Sequence, residues 1–249
     1  MTQPIFADRT ALVTGGARGI GRAICQMLAT HGARVSINYQ QNEAAAQQTL
    51  DQLQELGATA CLAQADVADA DQVAAMIETV TAELGPIDLL VNNAGIANSV
   101  DHTELDFAAW KRMFAVNVDG PFLTTWAVKD SMVERGFGRI VNISSLAAVA
   151  LKKDMIHYAT TKAAVIAFTR HTAQALAPHN VRVNCVAPGL TNTDLAQSSN
   201  PGMIAALVAS TPMGRMAEAD EIAGVTKFLL SDDSSFVTGQ TVVACGGRT

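Results

Sequence analysis

The sequence predicts an α/β fold: one domain built on a doubly wound parallel sheet with helices on both faces. Three observations carry that prediction. Short apolar strand segments alternate with longer segments of helical apolar spacing, the turns between them are short, and no shift in composition marks a boundary anywhere in the 249 residues. Residues 1–249 therefore read as a single unit, with one irregular insertion near its C-terminal end.

The first strand, Thr10-Ala11-Leu12-Val13-Thr14, runs into Gly15-Gly16-Ala17-Arg18-Gly19-Ile20-Gly21. Ile24, Leu28 and Ala29 then keep helical spacing to a stop at His31-Gly32. A strand, a glycine-rich turn and a helix N-terminus in that order offer backbone N–H groups and a helix dipole to a phosphate, where bulkier side chains would block the approach. The competing reading is an ordinary tight turn. Arg34 to Tyr39 forms the second strand, and an Ala/Gln/Leu helix follows to Leu56-Gly57. The third strand, Ala58 to Gln64, reaches Asp66-Val67, and its helix ends at Gly85-Pro86. Ile87 to Val91 then opens onto Asn92-Asn93-Ala94-Gly95.

The second half repeats the alternation with longer helices. Phe107 to Glu134 has helical spacing of Trp110, Met113, Phe114 and Phe122, with a bend or break expected at Gly120-Pro121. Gly138 to Ser145 is a strand ending in hydroxyls, and a helix beginning near Tyr158 runs to Leu176-Ala177-Pro178. Val181 to Val186 is the next strand, stopped by Pro188-Gly189. Residues 191–215 contain Pro201, Gly202 and Pro212 and read as a partly helical flap, with Leu195, Met203, Leu207 and Met213 as its apolar inner surface. A helix from Ala219 to Leu230 and a strand at Gln240 to Val243 complete the chain. Polar groups thus collect where the strands finish, the edge at which open α/β sheets bind ligands.

Tyr158 and Lys162 stand four apart in a helical stretch, so phenol and ammonium share one face. A neighbouring cation favours the phenolate and lowers a tyrosine pKa from about 10, which makes Tyr158 an acid/base candidate. His157 is adjacent in sequence and faces elsewhere on a helix, so no catalytic role is assigned to it. Lys152 and Lys153 could meet an anionic substrate or simply form a solvated loop.

Composition excludes several function classes. The net charge of -6, with scattered lysines and arginines, argues against nucleic acid as a ligand. Cys25, Cys61, Cys185 and Cys245 are far apart and read as small hydrophobes in a reducing compartment, without a metal or redox pair. No signal peptide and no run of about 18 apolar residues appear, so a soluble cytoplasmic protein without membrane contact is expected.

Together and in order, these motifs strongly resemble the short-chain dehydrogenase/reductase family over practically the whole chain, most of all its 3-oxoacyl-carrier-protein reductase and glucose-dehydrogenase-like branches. The resemblance implies a Rossmann fold, a homotetramer, and an enzyme interconverting a small-molecule carbonyl and its alcohol. It places catalytic roles on Asn117, Ser145, Tyr158 and Lys162. Ser145 and Tyr158 would act on the carbonyl oxygen, Lys162 would lower the Tyr158 pKa and hold the nicotinamide ribose, and Asn117 would anchor a water leading to solvent. Cofactor contacts fall on Gly15, Arg18, Gly19, Ile20, Gly21, Asn38, Asp66, Val67, Asn93, Ala94, Gly95, Pro188 and Gly189, besides Tyr158 and Lys162. NADP(H) is expected over NAD(H), because Asn38-Tyr39-Gln40 lacks the acid that receives an adenosine ribose and Arg18 can reach a 2'-phosphate. Relatives commonly carry Asp where this chain has Cys245, so the nearby substrate rim or subunit contact is expected to differ. A carrier-protein-linked 3-oxoacyl substrate, a catalytically silent cofactor-binding subunit, and a dehydratase or epimerase are the alternatives.

Overall fold

The computed structural model describes residues 4–151, 153–193, 196 and 200–248. Seven strands, β1 (Thr10–Val13), β2 (Arg34–Tyr39), β3 (Ala60–Gln64), β4 (Leu89–Asn92), β5 (Gly138–Ile143), β6 (Val181–Pro188) and β7 (Thr241–Ala244), form one sheet in the order β3-β2-β1-β4-β5-β6-β7. Every pairing is parallel. The order reverses direction between β1 and β4, which opens a crevice at the strand ends there.

Alternation along each strand divides the core between two faces. Ala11, Val13, Val35, Ile37, Leu89 and Val91 point to one side, where they meet α1 (Gly19–Thr30), α2 (Glu43–Glu55) and α8 (Ala219–Leu230). Leu12, Leu90, Ile140, Val181 and Val183 point to the other, against α3 (Ala70–Leu84), α5 (Gly120–Arg135) and α6 (Ile156–Leu176). Both faces being covered explains why the strands read as continuous apolar runs. Leu12 and Leu90 are fully buried, so truncating either to Ala would cost roughly 2–5 kcal/mol.

The helix starts differ in a way that matters for the site. Asn42 caps α2, Asp69 caps α3 and Asp106 caps α4 (Phe107–Phe114), each side chain accepting from N–H groups of the first turn. α1 begins after Arg18 without a side-chain cap, and its first N–H groups face the crevice.

The break expected at Gly120-Pro121 lies one turn earlier. Residues Ala115–Asp119 form a π-helical turn between α4 and α5, and Pro121 occupies the first turn of α5, where its missing N–H costs nothing. The insertion at residues 191–215 is partly helical as read, with α7 spanning Pro201–Ala209. Leu195 and Lys152 lie outside the described residues.

Candidate active site

The crevice is a cleft of ≈ 790 Å³ running from the glycine turn, across the ends of β4 and β5, to the inner side of α7. Its nucleotide-sized end is made chiefly of backbone. Gly15 takes φ +62, and a β-carbon there would lie 3.0 Å from Ala94 Cα; one on Gly21 would run into the Gly15 carbonyl oxygen. The turn is held from three directions. Asn93 Nδ2 donates to the carbonyls of Thr14 and Gly15, both at 3.0 Å. Thr14 Oγ1 accepts from the N–H groups of Asn93 and Ala94 at 2.9 and 3.0 Å. Asn38 Oδ1 accepts from Gly15 N at 3.2 Å, while its Nδ2 donates to Ala63 and Ala65.

Asn38 therefore serves the fold more than a ligand: it is buried, with every amide group engaged. The surface at the end of β2 is instead Tyr39, Gln40 and Gln41, opposite the exposed Arg18. Asp66 accepts from Gln40 Nε2 at 2.7 Å and faces Arg112 at 3.6 Å; Val67 lies beside it in the wall. Gly19 and Ile20 line the same end, and Pro188 and Gly189 line the cleft on the other side of β5, where β6 finishes. With a cradle that β-carbons would fill and uncapped N–H groups at α1, this end fits a dinucleotide pyrophosphate.

The other four residues meet at the centre. Lys162 Nζ donates to the Ile143 carbonyl at 2.9 Å and stands 5.8 Å from the Tyr158 ring centroid. Ser145 Oγ accepts from Ala147 N at 3.1 Å and so caps a short turn, and it lies near enough to the Tyr158 phenol to favour the phenolate. Asn117 sits in the π turn, its amide bonded both ways to the Ile96 backbone at 2.9 Å and to Thr161 Oγ1 at 3.2 Å. Gly95 packs between them: a β-carbon there would lie 3.1 Å from Asn117 Oδ1 and 3.4 Å from Lys162 Nζ. Helix turns of this kind recur at functional sites because they re-aim one side chain without ending the helix.

Burial sets the charges. It pulls the Lys162 ammonium down to about 8. It pushes the Tyr158 phenol up, against a downward pull from the Ser145 hydrogen bond. The downward shift expected from Lys162 does not appear in this structure, where desolvation of the phenolate dominates at Tyr158.

Other expectations resolve individually. His157 is fully buried, and its Nε2 lies 3.0 Å from Oδ1 of Asn98, a residue of the cleft lining. Lys153 is exposed and outside the cleft wall, which leaves it a solvated residue. Met203 and Leu207 face the cleft, whereas Met213 is 62% exposed and packs near Gly246, because Pro212 and Gly214 turn the chain away after α7. Cys25 and Cys185 are buried, but Cys61 and Cys245 are only partly so. Among the described residues no group of three His, Cys, Asp or Glu could hold a metal. Two groups were missed in the sequence: the Thr14 hydroxyl, whose only local signal is its place at a strand end, and Arg248, which has no local signal at all.

Comparisons with known proteins agree with this geometry. Residues 9–203 match the family described as short chain dehydrogenase. Nodulation protein G of Azospirillum brasilense is 39% identical over 242 residues, 97% of this chain and 98% of that protein. A 3-oxoacyl-[acyl-carrier-protein] reductase of Synechocystis sp. is 38% identical over 240 residues, 96% of each chain. A 3-oxoacyl-[acyl-carrier protein] reductase from Brucella melitensis, solved with bound NAD, superposes with a TM-score of 0.92 at 40% identity, covering 99% of this chain and 94% of that one.

Proposed function

This chain belongs to the short-chain dehydrogenase family, and from that premise we propose which of its groups carry the chemistry. It is an NAD(P)-dependent oxidoreductase interconverting a ketone and a secondary alcohol. The observation that carries the proposal is the meeting of Ser145, Tyr158 and Lys162 midway along a cleft that begins at the open glycine turn.

When bound, the nicotinamide supplies or accepts the hydride. Tyr158 donates a proton to the oxygen that becomes the alcohol, and accepts one in the reverse direction. Ser145 donates a hydrogen bond to the same oxygen as negative charge develops on it. Lys162, held by the Ile143 carbonyl, keeps a positive charge beside the phenol and offers its remaining protons to ribose hydroxyls. Asn117 has its amide spent on Ile96 and Thr161, so its share in a water path to Lys162 rests with its backbone in the π turn.

The cofactor reading is NADP(H) in preference to NAD(H). Arg18 is exposed at the cleft wall, and Asn38 removes the repulsion that an acid would exert on a 2'-phosphate. The wall residues Gly15, Gly19, Ile20, Gly21, Asp66, Val67, Asn93, Ala94, Gly95, Pro188 and Gly189 hold the remainder. Steady-state kinetics with both cofactors across a panel of ketones tests both points. Efficiency with NADH equal to that with NADPH would remove the preference, and no reduction of any carbonyl would favour a silent cofactor-binding subunit.

Two further parts of the reading concern assembly and motion. The half-exposed rings of Phe122 and Trp126 stack at 4.4 Å beside Phe168 on α5 and α6, an apolar face that supports a homotetramer. Monomer mass by light scattering would overturn it. Residues 191–215 are read as a substrate flap that gains hydrogen-exchange protection in a ternary complex, and equal protection in apo and ternary samples would count against it. The cytoplasm is the compartment we infer; no helix among the described residues is long and apolar enough to cross a membrane.

A further inference from the structure

On the α7 side the cleft lining is largely apolar, with the hydroxyls of Thr191 and Thr193 and one cation. Leu190, Met203, Ile204 and Leu207 form the wall, and Arg248 completes it. Arg248 lies after β7, in the last turn described, and two glycines bring it there. Gly246 and Gly247 both have left-handed backbones, with φ of +63 and +87. Neither has room for a side chain: a β-carbon would lie 2.8 Å from Thr211 Cγ2 at Gly246 and 3.1 Å from Pro212 Cγ at Gly247. The turn is pinned on three sides. Met213 N donates to the Gly246 carbonyl at 3.1 Å, Arg248 N donates to the Cys245 carbonyl at 3.3 Å, and Cys245 Cα packs on Gly189. The chain is thus folded back under α7 and fixed there, with residue 248 half-buried in the cleft wall.

Among the described residues, no carboxylate or carbonyl accepts from the Arg248 guanidinium. The one acid among the described lining residues, Asp66, stands at the nucleotide end and is engaged by Gln40 and Arg112. A guanidinium at a cleft wall without an internal anion is disposed to take one from the ligand. We propose that Arg248 recognises a carboxylate on the substrate, so that the enzyme acts on oxo acids and the corresponding hydroxy acids in which an apolar segment separates the carbonyl from the acid group. A carboxylate is favoured over a phosphate because this end offers a single planar fork and no free helix N-terminus. The first N–H groups of α7 are already bonded by Asn200 Oδ1, at 2.8 Å to Gly202 and 3.4 Å to Met203.

This inference rests on the reading of Tyr158 as the proton donor, and the test separates the two. The full chain is assayed with NADPH against 3-, 4- and 5-oxo monocarboxylates of C5 to C8 length, their methyl esters, and phosphate monoesters of matched hydroxy ketones. At least one oxo acid is expected to exceed its ester in kcat/KM by roughly tenfold or more, as a charge-assisted bond replaces solvent. Arg248→Ala should erase that advantage through KM, leaving ester turnover and KM for NADPH within about twofold, and Arg248→Lys should restore part of it. The side chain makes no bond within the described structure, so both variants should fold. Equal loss on acid and ester, a raised KM for NADPH, or a preference for esters or phosphate monoesters in the wild type would each overturn the assignment. Ester reduction surviving in Tyr158→Phe would instead sink the catalytic reading. Competitive inhibition of ester reduction by saturated alkanoates, weakened at least tenfold in Arg248→Ala, reports the same contact without relying on where a substrate carbonyl sits; equal inhibition of both proteins would count against it.

Discussion

The two edges of the sheet carry the same kinds of charged residue and use them in opposite ways. At the edge where strands begin, Asp88 is buried against Arg135 at 2.5 Å and Arg9 at 3.6 Å and accepts from Thr10 N. Arg182 there donates to Leu229 O, Ser231 O and Ser234 Oγ, and Arg139 donates to Gly138 O and Asn180 O. At the edge where strands finish, Lys162 keeps a single bond to Ile143 O, and the Arg18 and Arg248 guanidinium groups are spared internal partners among the described residues. The first edge spends its polar groups on the fold. The second withholds them, and withheld capacity is what a ligand can use.

The largest expected difference comes from removing a spent group. Asp88→Ala leaves Arg135 and Arg9 without their acid and should lower stability by about 3 kcal/mol, the low end for breaking a buried pair because both arginines still touch solvent. For a chain of this size that is roughly 6–12 °C in melting temperature. Turnover per folded molecule should stay unchanged, and a loss of kcat with an intact melting curve would break the comparison.

Tyr158→Phe is the converse. Turnover should fall at least about 100-fold while melting temperature and cofactor affinity hold, since Phe keeps the buried ring and removes only the hydroxyl. A mutant retaining more than half of normal turnover under chemistry-limited conditions would remove Tyr158 from its role. Arg18→Ala should act in the same direction at the far end of the cleft, lowering kcat/KM for NADPH by roughly tenfold and that for NADH much less. Equal loss with both cofactors would refute the phosphate contact.

The same contrast explains what was legible in the sequence. Strands and their alternation were readable because the signal is local: Ala11 and Val13 on one face and Leu12 on the other need only a period of two. The glycine turn, Ser145 and the Tyr158–Lys162 pair were readable because each lies within one turn of a strand end or helix face. Asn38 was legible as a cleft residue, but its hold on the glycine turn was not, because its partners Gly15 and Ala63 are distant in sequence. Arg248 was invisible for the same reason at greater range: only the packing of Cys245 on Gly189 and of Gly246 on Thr211 turns it inward. The shift in Tyr158 also went the other way than the Lys162 spacing implied, since spacing reports neighbours and says nothing of burial.

The smallest effect is the sharpest test, because it reverses sign between the edges. Burial lowers Lys162 from the ordinary lysine value of 10.5 to about 8, so between those two pH values the unfolded chain binds a proton that the folded chain has released. Stability therefore rises with pH through that window, and at pH 7 the charged Lys162 is a cost to the fold. Replacing it by Met should raise stability at pH 7 by roughly 1 kcal/mol and flatten the rise between pH 8 and 10.5, in contrast to the loss from Asp88→Ala. Activity should run the other way. As Lys162 loses its proton, wild-type kcat/KM for NADPH, which reports the free enzyme, should be halved near pH 8 and keep falling, although the fold is becoming more stable. Urea unfolding of both proteins at pH 7 and 9.5, beside the wild-type rate profile, measures all of this. A Lys162→Met variant less stable at pH 7 than wild type, with an unaltered slope above pH 8, would mean that the ammonium serves the fold as Asp88 does, and the division between the two edges would fail at its centre.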